Sequence, residues 1–204
     1  MAHITTIESL RRAIPPAHEM THLKVGDQLD AQALAFLARA PFFVMATHGP
    51  DGTTDASPKG DEPGFVVAEN SRTLLIPERP GNGLAFGLQN ILSNGDIGLL
   101  FMAPGTGETL RVTGKATLHD DADLVARMGA RGKPARLIIR VAVTKAYFHC
   151  ARSVLRSGLW EPAKWPEPMK VSFGAILAEK IKANADTAAL IDGAVAQSYE
   201  PSNL

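Results

Sequence analysis

Between residues 108 and 118 the chain reads ETLRVTGKATL, with an apolar or small residue at every second place. Leu110, Val112, Gly114, Ala116 and Leu118 fall on one face of an extended strand. Thr109, Arg111, Thr113, Lys115 and Thr117 fall on the other. Shorter apolar runs bounded by turn residues predict further strands. FFVMAT at 42–47 is followed by the turn signal HGPDG and a returning strand, TTDASPKG at 53–60. FVVAE and TLLIP flank ENSR as a second hairpin. IGLLFM at 97–102, RLIIRVAV at 136–143 and AYFHC at 146–150 complete six or seven strands.

Helical spacing appears between them. In LDAQALAFLARAP, at 29–41, Asp30 is the expected N-cap, Leu34 and Leu37 share a face, and Pro41 ends the helix. LAFGLQNIL at 84–92 has helical length, and Asn94-Gly95 can close it. DDADLVARM, the start of ARSVLRSGLW, and FGAILAEKIKANA predict three more. Short hairpin-linked strands with few intervening helices suggest an antiparallel barrel rather than a doubly wound sheet. We expect one domain: a helical segment over 1–40, a barrel core over 41–150 and a helical extension over 151–204.

Composition narrows the function classes. The chain has 204 residues, and its 21 basic side chains balance 21 acidic ones. A general nucleic-acid binder needs a surplus of positive charge to displace counterions, so that class is disfavoured. A local basic pocket for a small anion remains open. Cys150 is the single cysteine, no run approaches a membrane span, and residues 1–16 lack the apolar stretch of a signal peptide. The expectation is a soluble cytoplasmic protein without internal disulfides.

Three stretches carry basic residues where a ligand could approach. Lys59 and Gly60 follow Ser57-Pro58 in ASPKGDEPGF. IPERPGNG at 76–83 places Arg79 in a loop stiffened by Pro80 and bared by Gly81 and Gly83. Asn82 is expected to cap the next helix, whose free N–H groups favour an anion, and the Arg79 fork suits phosphate. Arg111 and Lys115 share a strand face. A turn or a solvated strand face explains each of these taken alone.

Other motifs point elsewhere. HEMTH at 18–22 is a literal HExxH that could hold zinc through His18 and His22 with Glu19 as base. It lacks apolar backing, and Gln28 occupies the place of a third histidine, so a solvated helix is expected instead. His149 and Cys150 are strand neighbours pointing to opposite faces, which separates them as a dyad. Cys150 is expected to be buried and structural. Neither GxGxxG after a strand nor GxSxG occurs.

Taken in order, SPKGDEPGF, TLLIPERPGNG, LQNILSNGDIGLLFMAPGTGETLRVTG and FHCARSVLRSGLW resemble the pyridoxamine 5′-phosphate oxidase-like flavoproteins, over roughly residues 30–165. The resemblance implies a mainly β (α+β) fold: an FMN-binding split β-barrel with flanking helices. It also implies a homodimer with FMN in clefts at the dimer interface. It nominates Arg79, Gly81 and Asn82 for the flavin phosphate and Ser57, Pro58, Lys59 and Gly60 at a flavin-contacting strand end. Arg111 is nominated near the cofactor, and Arg156, Ser157 and Trp160 are nominated to reach the flavin from the neighbouring subunit. The implied activity is an FMN-dependent oxidoreductase acting on a small molecule, with a reduced nicotinamide, NAD(P)H, as a possible donor. A flavin carrier or haem-handling protein is the alternative. The oxidases that make pyridoxal phosphate carry a longer basic signature and an arginine-rich C-terminal motif. Neither is found here, which sets that reaction behind the more general one.

Overall fold

The structure is a computed structural model and describes residues 3–203. The chain divides into two compact units, with the break after Trp160.

The first unit is built on one seven-stranded antiparallel sheet. Its strands are β1 (Phe42–His48), β2 (Thr54–Gly60), β3 (Val67–Asn70), β4 (Thr73–Pro77), β5 (Asp96–Met102), β6 (Thr109–His119) and β7 (Ile138–His149). The order across the sheet is β2-β1-β5-β6-β7-β4-β3. The ends of β2 and β4, with β1, β5, β6 and β7 between them in the sheet, nevertheless meet through side chains. Lys59 Nζ lies 2.7 Å from both carboxylate oxygens of Glu78. Phe43 of β1 also stacks on Phe65, with ring centroids 5.8 Å apart. The sheet is therefore rolled into a barrel that is left split along one side, a mainly β, α+β fold with flanking helices.

Alternation sets the inside. On β6, Leu110, Val112 and Ala116 are buried, Leu118 packs against the same core, and Arg111, Thr113, Lys115 and Thr117 face out. Gly114 is needed at its place because a Cβ there would collide with the Ala142 carbonyl of β7, where the register shifts by a bulge. RLIIRVAV and AYFHC, expected as two strands, form the single strand β7. Lys145 pairs with Thr113 and Val143 with Gly114, so the ladder to β6 steps over Thr144 at the bulge and continues. Cys150 is exposed, correcting the expected burial. It follows the last residue of β7, where the chain leaves the sheet.

Helices α1 (Ile7–Ala13) and α2 (Glu19–Leu23) contain no buried residue. Helix α3 (Ala31–Leu37) is capped by Asp30, whose carboxylate accepts from Ala33 N at 2.7 Å. Its inward pair is Ala33 and Leu37, while Leu34 is exposed. The i, i+4 spacing aligns the first pair, and Leu34 stands to one side of it. Helix α4 (Phe86–Asn94) lies against the barrel and ends at Gly95, in the left-handed conformation. Helix α5 (Ala122–Arg127) and Met128 cover the outer face of β4, which explains why β4 is buried on both faces. Helix α6 (Arg152–Ser157) follows β7.

The second unit holds a short 3-10 turn and two helices, α7 (Phe173–Ile181) and α8 (Ala185–Ser198). Ser172 caps α7 and donates to Asp192 of α8, and Asn184 caps α8. No helix among the described residues is long and apolar enough to cross a membrane.

Candidate functional site

The split in the barrel opens into a cleft of about 680 Å³, walled by β2 on one side and by the loop after β4 on the other. Pro58 is tolerated in β2 because β2 is an edge strand and needs no outward donor. Ser57 Oγ donates to Asp55 at 2.8 Å. Lys59, with 19% of its side chain exposed, is held by Glu78 as described above. The β4–β7 ladder continues past β4 through Glu78, whose amide donates to Leu137 and whose carbonyl accepts from Arg136. This pairing carries both Glu78 and Arg136 to the cleft wall.

Arg79 leaves the same strand end and is firmly engaged. Its Nε donates to Asp61 at 2.6 Å and its Nη1 to the Met128 carbonyl at 2.8 Å. The Asp61 carboxylate is 1% exposed and also accepts from Arg131 at 2.8 Å. Burial pushes the Asp61 carboxyl up, but the Glu62 amide and the guanidinium groups of Arg79 and Arg131 outweigh it. They hold the group below its ordinary value. The bare turn beyond Arg79 borders open space at Gly81 and Gly83.

One expectation about the start of α4 is corrected. Asn82 does not cap the helix. Its Oδ1 accepts from Leu84 N at 3.0 Å, closing a local turn, and the N-cap position is held by Ala85 in the left-handed conformation without a side-chain acceptor. A carboxylate of the protein itself, that of Asp55, stands beside the first turn of α4. A Cβ added at Gly87 would come within 3.0 Å of Asp55 Oδ2 and 2.8 Å of Met45. Glycine thus lets the Asp55 carboxylate approach the positive end of the helix.

The structure brings together Ser57, Pro58, Lys59, Gly60, Arg79, Gly81 and Asn82 along the cleft. Arg111, Arg156, Ser157 and Trp160 are not among its lining residues. Arg111 donates to the Tyr147 hydroxyl at 3.3 Å, Ser157 to the Val154 carbonyl, and the Trp160 indole to the Thr106 carbonyl at 2.8 Å. Arg156 is exposed. Arg136 was missed by sequence reasoning. It lines the cleft, is exposed, and takes part in none of the ion pairs among the described residues. The sequence shows it only as the first residue of an apolar run.

In HEMTH, His18 stands outside α2 as its N-cap, with Nδ1 accepting from Met20 N at 3.2 Å. The two histidines therefore do not sit on one helical face. No cluster of metal-ligating side chains occurs among the described residues.

Residues 29–150 match the family model for pyridoxamine 5′-phosphate oxidase. No curated protein matches the chain. Among solved structures it is similar to HupZ of Group A Streptococcus, at 15% identity and a TM-score of 0.49, over 59% of this chain and 93% of that one. It is similar to an FMN-binding protein of Syntrophomonas wolfei at 10% identity and a TM-score of 0.45, over 70% and 95%. A third is a Clostridium acetobutylicum protein related to general stress protein 26 of B. subtilis, of the pyridoxinephosphate oxidase family. It shows 9% identity and a TM-score of 0.46, over 58% and 86%. At such values these likenesses carry no argument about ligand or activity.

Proposed function

The chain belongs to the pyridoxamine 5′-phosphate oxidase family, and from that premise we propose that it binds FMN in the split of the barrel and acts as an oxidoreductase on a small molecule. The observation that carries this reading is the cleft itself. Its volume of about 680 Å³ lies in the range of cofactor pockets, roughly 300–1,000 Å³. The residues present fit the group. Gly81 and Gly83 leave the backbone open to a ligand, and Arg136 offers a guanidinium without an internal carboxylate partner. We assign the phosphate to Arg136, because Arg79 is engaged by Asp61 and Met128 and the start of α4 faces Asp55.

FMN, when bound, supplies the hydride or electron transfer. The chain's own residues bind and orient. Lys59, paired with Glu78, would fix the strand end at the cleft wall, and Ser57 and Pro58 would border the bound flavin. Arg79 acts as a strut between the cleft wall and Asp61. Arg111, Arg156, Ser157 and Trp160 line no part of this cleft. In a homodimer, Arg156, Ser157 and Trp160 would serve the cleft of a second copy. NAD(P)H is the proposed electron donor.

The test is a visible absorption spectrum of purified protein before and after added FMN, followed by addition of NADPH or NADH. About one flavin per chain, bleached by the nicotinamide and restored by air, supports the oxidoreductase. Bound flavin that neither donor reduces makes the protein a carrier. A protein that takes up no FMN contradicts the proposal.

A further inference from the structure

A second cavity of about 490 Å³ shares Arg79 and Phe65 with the first cleft. Its apolar floor is formed by Leu75 and Met128, both buried, together with Phe65 and Val67. Val67 pairs with Leu75 across β3 and β4, so both side chains stand on the outer face of the sheet. There α5 covers Leu75 and leaves Val67 44% exposed. The cavity is thus the unfilled end of a small satellite core, and apolar surface of this kind gains by being covered.

Three arginines and three acidic residues line it. Arg79 and Arg131 converge on the single buried carboxylate of Asp61. Arg127, at the end of α5, also lines the cavity and takes part in none of the ion pairs among the described residues. Of the remaining acidic lining residues, Glu69 is met by Arg140 from outside, and Glu62 is exposed. Of the lining arginines, Arg79 and Arg131 are held by Asp61, and Arg127 is the one that no carboxylate among the described residues holds. A guanidinium outside the ion pairs, beside an apolar floor, suits an anionic group.

We infer that this cavity is a second small-molecule site, which takes a carboxylate with an apolar one- or two-ring body. The carboxylate pairs with Arg127, and the body lies on Phe65, Val67, Leu75 and Met128. Arg79 and Phe65 line both cavities, so this ligand and the proposed cofactor would share them as neighbours. The inference does not depend on FMN occupying the cleft.

The experiment titrates the full chain, without added FMN, with 1-naphthylacetate and with the uncharged 2-(1-naphthyl)ethanol by isothermal calorimetry. The expected result is saturable binding of one acid per chain, with the alcohol about tenfold or more weaker. Arg127→Ala should weaken the acid by a similar factor and leave FMN binding unchanged. Val67→Trp, which fills the cavity from its exposed edge, should abolish binding while its circular dichroism spectrum and melting temperature stay those of a folded protein. Absence of saturable binding overturns the inference. So does binding that survives Val67→Trp, or that FMN displaces competitively, which would put the acid in the cofactor cleft.

Discussion

Arg79 and Arg136 stand on one cleft and differ in what holds them. Arg79 is 18% exposed in its side chain, with Nε on Asp61 and Nη1 on a backbone carbonyl. Arg136 is anchored by its backbone to Glu78, and its guanidinium is exposed without an internal ion pair. A guanidinium already committed to a buried carboxylate is part of the framework. One that is backbone-anchored and unpaired is available to an incoming anion. The contrast teaches that the most conspicuous cation of a loop need not be its ligand group.

Removing the carboxylate that ties down Arg79 is the severest test of this contrast. Asp61→Ala would leave Arg79 and Arg131 without their shared partner, and breaking a buried pair this way costs about 3–5 kcal/mol. Urea unfolding should show that loss, whereas a change under about 0.5 kcal/mol would make Asp61 a bystander.

The next largest effects separate the two arginines by ligand. Arg136→Ala should weaken FMN by roughly ten- to hundredfold and leave riboflavin almost untouched, because only FMN carries the phosphate. Arg79→Ala should lower stability and weaken both ligands alike. A phosphate-selective loss in Arg79→Ala would reverse the assignment.

A smaller effect appears in acid. Asp61 titrates below its ordinary value of 3.8 in the folded protein. Its stabilising contribution is therefore present above the unfolded value and is lost as pH falls through the lower folded one. The stability gap between the wild type and Asp61→Asn should accordingly be constant above about pH 5 and shrink below about pH 4. A gap that widens in acid would contradict the direction of that shift.

The smallest concerns Asn82. Its side chain satisfies only the Leu84 amide, so Asn82→Ala should cost about 1 kcal/mol or less in thermal or urea unfolding. A much larger loss would restore it as a helix cap.

The barrel was legible because its information is local. Alternation over ETLRVTGKATL separates the buried face of β6 from its exposed face, and HGPDG marks the turn between β1 and β2. β7 was read as two strands because Thr144-Lys145 breaks the apolar pattern, whereas its pairing with β6 does not depend on side-chain polarity. The residues nominated in SPKG and IPERPGNG all line one cleft. The choice of partners was not legible. Asp61 and Arg79 are joined only when the rolled sheet brings β2 and β4 together, and Arg136 reaches the wall only through the continued β4–β7 ladder. Asp55 at Gly87 is likewise a contact between a strand and a helix that nothing in either segment announces.

The most direct test is a paired fluorescence titration of FMN and riboflavin with the wild type and Arg136→Ala. The account predicts that the wild type prefers FMN and that the variant loses this preference, binding FMN about as weakly as riboflavin. Wild-type protein that binds neither flavin, or a variant that keeps the full preference for FMN, would contradict it.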